Sequence, residues 1–155
     1  MKFLICCNPV GAITFLSKAY SGRASDVHIV RESGFMSPNL HMPYDQILAD
    51  RGFTLKEEFA TTCSAELITP AFTKGRDQLS AKVVEMSRKT SSVRIHIEHV
   101  IGLIKNRFSI LQGVLPYQFV KSIKDESEGL DVSTIDKIVT ICAALANLEE
   151  GIVSK

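Results

Sequence analysis

Apolar residues come in short blocks over the first half of the chain and at helical spacing over much of the second. Within Lys2 to Asn8 the run Phe3-Leu-Ile-Cys-Cys7 is continuous, and Pro9-Val-Gly11 closes it, which predicts a buried strand entering a turn. Ala12 to Tyr20 is rich in β-branched and aromatic residues and ends at Ser21-Gly22, so the two segments predict a hairpin. Ser25 is a candidate N-cap for a short helix through Ser33, with Asp26 in its first turn and Gly34 as its stop. Phe35 to Pro43 reads as a loop. Asp45 to Asp50 is a third strand, too short and apolar to alternate, which places it centrally in a sheet. Leu55 to Cys63 predicts a second short helix and Glu66 to Phe72 a fourth strand.

From Ser80, a candidate cap, the pattern changes to a long helix. Val93, Ile97, Val100, Ile101, Ile104 and Phe108 fall on one face of a 3.6-residue period. Thr90-Ser-Ser92 marks a place where that helix is expected to kink. Gln112 to Asp131 reads as a surface excursion with an acidic patch at Asp125, Glu126 and Glu128. Ser133 with Asp136 has the spacing of a capping box, although Asp is the weaker partner. Ile135, Ile138, Val139, Cys142, Leu145 and Ala146 then mark a last amphipathic helix, with Gly151 as its stop. No repeat, low-complexity tract or linker interrupts the chain, and its 155 residues predict one domain over 1–155.

Composition adds little except in its distribution. With 45% apolar residues the chain can bury a core, and its formal net charge is only +1. Between Thr73 and Arg107, however, eight basic residues face three acids, whereas Lys121 to Lys155 carries seven acids and four lysines. That asymmetry fits a polyanionic partner on one face, or two solvated helix faces. The four cysteines lie in apolar contexts without CxxC spacing, which predicts reduced thiols in a reducing compartment. The apolar run after Met1-Lys2 is too short for a signal core, and Ile138 to Leu148 is far below a membrane span, so an intracellular protein without membrane contact is expected.

Three acids are candidates for chemistry. Asp50 ends the third strand, and the carboxyl ends of central strands are where α/β sheets place ligands. It is also an ordinary strand-to-turn residue that accepts backbone N–H bonds. Glu98 flanks the buried stripe of the long helix, and it is equally placed to pair with Arg94 at i,i+4. Asp26 at a helix start is favoured by the helix dipole without any ligand. Together, two or three carboxylates suit a hard cation such as Mg²⁺, which keeps several waters. Two such ions can clamp the attacking and leaving oxygens of a phosphodiester displacement. Arg94, Lys105 and Arg107 then become candidate phosphate contacts. His96 and His99 lie three apart but lack the further ligands of a zinc site. Lys74-Gly-Arg76 lacks the glycine spacing of a phosphate loop.

Four blocks, Gly11-Ala-Ile-Thr-Phe-Leu-Ser17, Gly22-Arg-Ala-Ser-Asp26, Leu48-Ala-Asp-Arg-Gly-Phe53 and Ser92-Val-Arg-Ile-His-Ile-Glu-His-Val-Ile-Gly-Leu-Ile-Lys105, resemble the DDE endonuclease domain of Harbinger-type transposases. Ile138-Val-Thr-Ile-Cys-Ala-Ala-Leu-Ala-Asn147 resembles its closing helix. The likeness covers nearly the whole chain in order. It implies an α/β, RNase H-like mixed sheet flanked by helices and Mg²⁺ or Mn²⁺ held by Asp26, Asp50 and Glu98. Asp50 and Glu98 would be the second Asp and the Glu of the DDE set, with Asp26 the less certain ligand. It also implies cleavage of DNA by a metal-activated water, attack of the freed 3′-OH on target DNA, and a nuclear location.

Two departures from the family pattern bear on activity. His99 stands where members often carry Arg. The family's first catalytic Asp lies on a strand upstream of the segment matching Lys2-Phe-Leu-Ile-Cys6, so the sheet is expected to lack its first central strand. That leaves a gap, or an improvised pairing, between the Lys2–Asn8 strand and the strand ending at Asp50. The expected function is therefore a transposase-derived nuclease impaired by truncation. The alternative is a domesticated, non-catalytic module that binds DNA or a protein on the same scaffold. No DNA-binding module is legible, and a protein partner that supplies one is among the candidate partners beside DNA.

Overall fold

The computed structural model describes residues 1–70, 81–113, 119 and 133–148. The predicted hairpin is present. β1 (Ile5–Cys7) pairs antiparallel with β2 (Ile13–Leu16), with a register shift between Cys6 and Cys7. An isolated bridge between Lys2 and Tyr20 carries the pairing further out. It is interrupted at Ser17, whose buried hydroxyl accepts the Leu4 N–H at 2.8 Å and donates to the Lys18 carbonyl. A side chain there does what the next backbone rung would do, so β2 stops before Tyr20.

α1 (Asp26–Glu32) starts where its cap predicts, with the Ser25 side chain accepting the His28 N–H. It ends at Ser33, before Gly34 at φ 77°, a left-handed conformation that favours glycine. β3 (Gln46–Leu48) runs parallel to β4 (Glu66–Ile68), with α2 (Lys56–Thr62) between them in sequence. Residues 71 and 72 of the predicted fourth strand lie outside the described residues.

Between the two pairs lies the gap expected from the family pattern. Among the described residues no strand joins β1 to β3, so a single mixed sheet is replaced by two two-stranded sheets. Among the described residues β3, expected to be central, has a strand neighbour on one side. Both sheets nevertheless cover one core. Val30, Phe35, Leu55, Phe59, Cys63, Ala65 and Leu67 are buried there, with Leu4, Cys6 and Phe15 from the first sheet and Ile47 and Ala49 from the second packed on them.

The opposite face of the hairpin packs on a second core. Ile5, Cys7 and Ile13 meet Val100, Ile104, Cys142 and Ala146 of α3 (Ala81–Arg107) and α4 (Thr134–Asn147). Alternate residues of β1 thus enter different cores, which is why its sequence is apolar throughout rather than alternating. α3 runs through Thr90–Ser92 as one helix, and its proposed cap Ser80 lies outside the described residues. The apolar stripe of α3 is buried only towards its C-terminal end. Val100 and Ile104 are covered, whereas Val93 is 37% exposed. α4 begins with the predicted capping box, Ser133 accepting the Asp136 N–H and donating to its carboxylate. It ends at Asn147, short of Gly151, which lies outside the described residues.

Candidate functional site

β3 delivers Asp50 to the end of the second sheet. Ala49 still bonds to Ile68, and the chain then turns, Phe53 N–H donating to the Asp50 carbonyl. The Asp50 carboxylate accepts the Arg51 N–H at 2.7 Å, the local strand-exit role anticipated for it. The same oxygen, Oδ1, also accepts Arg94 Nη1 at 3.1 Å. Arg94 lies one helical turn before Glu98 on α3, and its other terminal nitrogen, Nη2, donates to Glu98 Oε1 at 3.1 Å. The expected i,i+4 pair therefore exists, and the same guanidinium reaches a second acid 44 positions away. One planar fork holding both carboxylates puts their oxygens within about 9 Å of each other.

Asp26 comes to the same rim by a different route. Its Oδ1 pairs with Lys2 Nζ at 3.2 Å, and Lys2 also donates to the Ala24 carbonyl. On the far side Asp26 approaches the turn that follows Asp50. A Cβ at Gly52 would lie 3.4 Å from Asp26 Oδ2, an ordinary contact distance that makes the turn and the carboxylate neighbours. A cavity of about 220 Å³ opens beside it, lined by Lys2, Phe3, Leu4, Asp26, Ile29 and Phe53. Lys2 as the partner of Asp26 was missed in the sequence, because nothing periodic links positions 24 apart.

The three acids thus gather towards one end of the fold without forming one pocket. Among the described residues no three His, Cys, Asp or Glu side chains converge as a metal-ligand set, and His96 and His99 form no such group either. What the structure offers a hard cation is the Asp50–Glu98 pair. Both side chains are solvent-accessible, at 56% and 62%, and both present oxygen. Mg²⁺ commonly uses one or two carboxylates with water and substrate phosphate, so that donor set fits.

The basic candidates separate. Arg94 is engaged by the two acids rather than presented to a ligand as a free cation. Lys105 lies in the last turn of α3 and lines an apolar groove of about 650 Å³ with Phe3, Ile5, Ile101 and Ile104. Arg107 is the final residue of that helix.

A family profile described as DDE superfamily endonuclease matches residues 1–147. The chain belongs to that family. Members of the DDE superfamily act on DNA and generally use divalent metals. No curated protein and no solved structure matches the chain. The DDE assignment covers every element from β1 to α4, including Asp26, Asp50 and Glu98. No helix among the described residues is long and apolar enough to cross a membrane.

Proposed function

We propose that this DDE chain is a transposase-derived endonuclease domain of the Harbinger type, built on an RNase H-like scaffold, that hydrolyses phosphodiesters in nuclear DNA. The observation that carries the reading is the meeting of Asp50 and Glu98. They come from a strand end and a helix and share one guanidinium. In this reading both carboxylates bind the metal, and Asp26 serves as an outer ligand once it leaves Lys2. Mg²⁺ or Mn²⁺ bound there would activate water and stabilise charge on the phosphate. In hydrolysis the water oxygen bonds to phosphorus while the bond to the 3′ oxygen breaks. That oxygen takes a proton, and in strand transfer the resulting 3′ hydroxyl oxygen bonds to a target phosphorus while the bond from that phosphorus to its own 3′ oxygen breaks, the proton passing by way of solvent to the oxygen released. Lys105 and Arg107 are the proposed phosphate contacts, at the end of the helix that carries Glu98.

The test is Mn²⁺ binding by calorimetry together with nicking of supercoiled DNA. Asp50→Ala and Glu98→Gln should each weaken Mn²⁺ by ~10-fold or more, since each removes one of two charged ligands. Nicking should fall with them. Binding unchanged in either variant would reject a metal site at this pair.

One observation favours the second reading, a non-catalytic DNA- or protein-binding module. With Asp26 held by Lys2 and the other two acids held by Arg94, the described residues present no assembled three-acid site. That reading requires DNA affinity that falls steeply with salt and is indifferent to metal.

A further inference from the structure

Arg94 has a role that rests on the endonuclease reading and goes beyond it. Its guanidinium donates to Asp50 Oδ1 and Glu98 Oε1, each at 3.1 Å, so one positive charge is shared by two negative ones. A divalent ion bound to the pair would use oxygens of these same carboxylates and meet a like charge in contact with them. Exposed ion pairs are weakly held and give way readily. The Arg94 side chain is 34% exposed, so it can swing away without opening a core. A guanidinium released at this point sits where a phosphodiester must lie to be cut, and its fork matches two phosphate oxygens. Of the other basic side chains near this rim, Lys2 is engaged by Asp26 and the Ala24 carbonyl, and Arg51 follows Asp50 in the turn.

We propose that Arg94 is an exchanging counter-cation. It holds Asp50 and Glu98 together in the metal-free chain, yields them to a divalent ion, and then takes a DNA phosphate in their place. Arg94 therefore lowers intrinsic metal affinity and in return couples metal to DNA. Each ligand strengthens the other by the same factor, because binding linkage is reciprocal.

The test uses the full chain with Mn²⁺ alone in calorimetry and a short, cleavage-resistant phosphorothioate duplex in fluorescence anisotropy, with Mn²⁺ or with EDTA. Arg94→Gln should bind Mn²⁺ about three- to tenfold tighter than wild type, the scale of losing one nearby exposed charge. The ratio of duplex affinity with and without Mn²⁺ should be higher in wild type than in Arg94→Gln by a similar factor. Arg94→Lys keeps the charge but loses the fork, so it should stay near wild type in Mn²⁺ affinity and lose most of the coupling. Arg31→Gln makes the same charge change at a separate ion pair with Glu58 and should alter neither. Circular dichroism and melting establish that each variant is folded. Equal or weaker Mn²⁺ binding in folded Arg94→Gln, or coupling that survives in it, overturns the proposal. Glu98→Gln separates the two ideas. If it leaves Mn²⁺ binding unchanged, the metal site and the exchange fall together, whereas if it weakens binding while Arg94→Gln changes nothing, only the exchange fails.

Discussion

The side-chain amide of Asn147 closes both backbone groups of Ile13, 134 positions earlier in the chain. Its Oδ1 accepts the Ile13 N–H at 2.8 Å and its Nδ2 donates to the Ile13 carbonyl at 2.9 Å. Asp136 does the same for the Ala19 N–H at 2.6 Å. α4 therefore meets β2 with polar side chains in place of another strand, one way to satisfy a sheet edge. Asn147→Ala should cost about 0.5–1.5 kcal/mol in urea unfolding, the net worth of hydrogen bonds that solvent can partly replace. A loss below about 0.5 kcal/mol would show that water replaces the amide without penalty.

Phe59 anchors the first core. It is 1% exposed, and its ring meets Phe35 at 6.0 Å and His41 at 6.3 Å. Phe59→Ala should destabilise by about 3–5 kcal/mol. Leu145→Ala, at a helix position 46% exposed, should change stability by less than about 0.5 kcal/mol. Similar midpoints for both variants in a denaturant titration would contradict this placement of the core.

Arg31 and Glu58 tie α1 to α2 on the surface, with Arg31 Nε donating to Glu58 Oε2 at 2.9 Å. The hydrogen bond from Arg31 lowers the Glu58 carboxyl from its ordinary value. A carboxylate with a depressed folded pKa adds stability above its unfolded value of about 4.3, and that stability is lost as pH falls through the folded value. Wild type should therefore melt slightly above Glu58→Gln at neutral pH, and the gap should close in the acid range below that value. A gap of constant size from neutral to acid pH would contradict the pairing.

All four cysteines are free thiols, as expected from their spacing. Burial pushes the Cys6 and Cys142 thiols above the ordinary value, and thiolate is the reactive form. At neutral pH iodoacetamide should modify both about tenfold or more slowly in the native chain than in urea. The native rate should climb only at pH above the usual thiol range. Equal rates in the two states would place these sulfurs at the surface.

The sequence revealed those elements that local rules specify. The hairpin, the Ser25 cap, the Gly34 stop and the Ser133–Asp136 box each depend on neighbours within a few residues. The long stripe on α3 was read too far, because periodicity records which side chains share a face and not what covers them. At 1.5 Å per residue α3 is about 40 Å long and α4 about 21 Å, so the shorter helix leaves Val93 and Ile95 exposed. At the site the acids were legible as candidates, and the Arg94–Glu98 pair followed from helical spacing. The reach of Arg94 to Asp50 and of Lys2 to Asp26 did not, since both depend on how distant elements pack. The gap between the two sheets was legible only through the family likeness and not from the strands themselves. Strand pattern shows that a segment is buried, and pairing partners lie beyond it.

The clasp of α4 on the N-terminal hairpin also fixes an order of events in synthesis. The groups that close the hairpin's outer edge, Asp136 and Asn147, are translated more than a hundred residues after the hairpin itself. Until then Ile13 and Ala19 can bond only to solvent or to a wrong partner. Closure of this edge thus waits for α4, and until α4 emerges the nascent hairpin is exposed to mispairing.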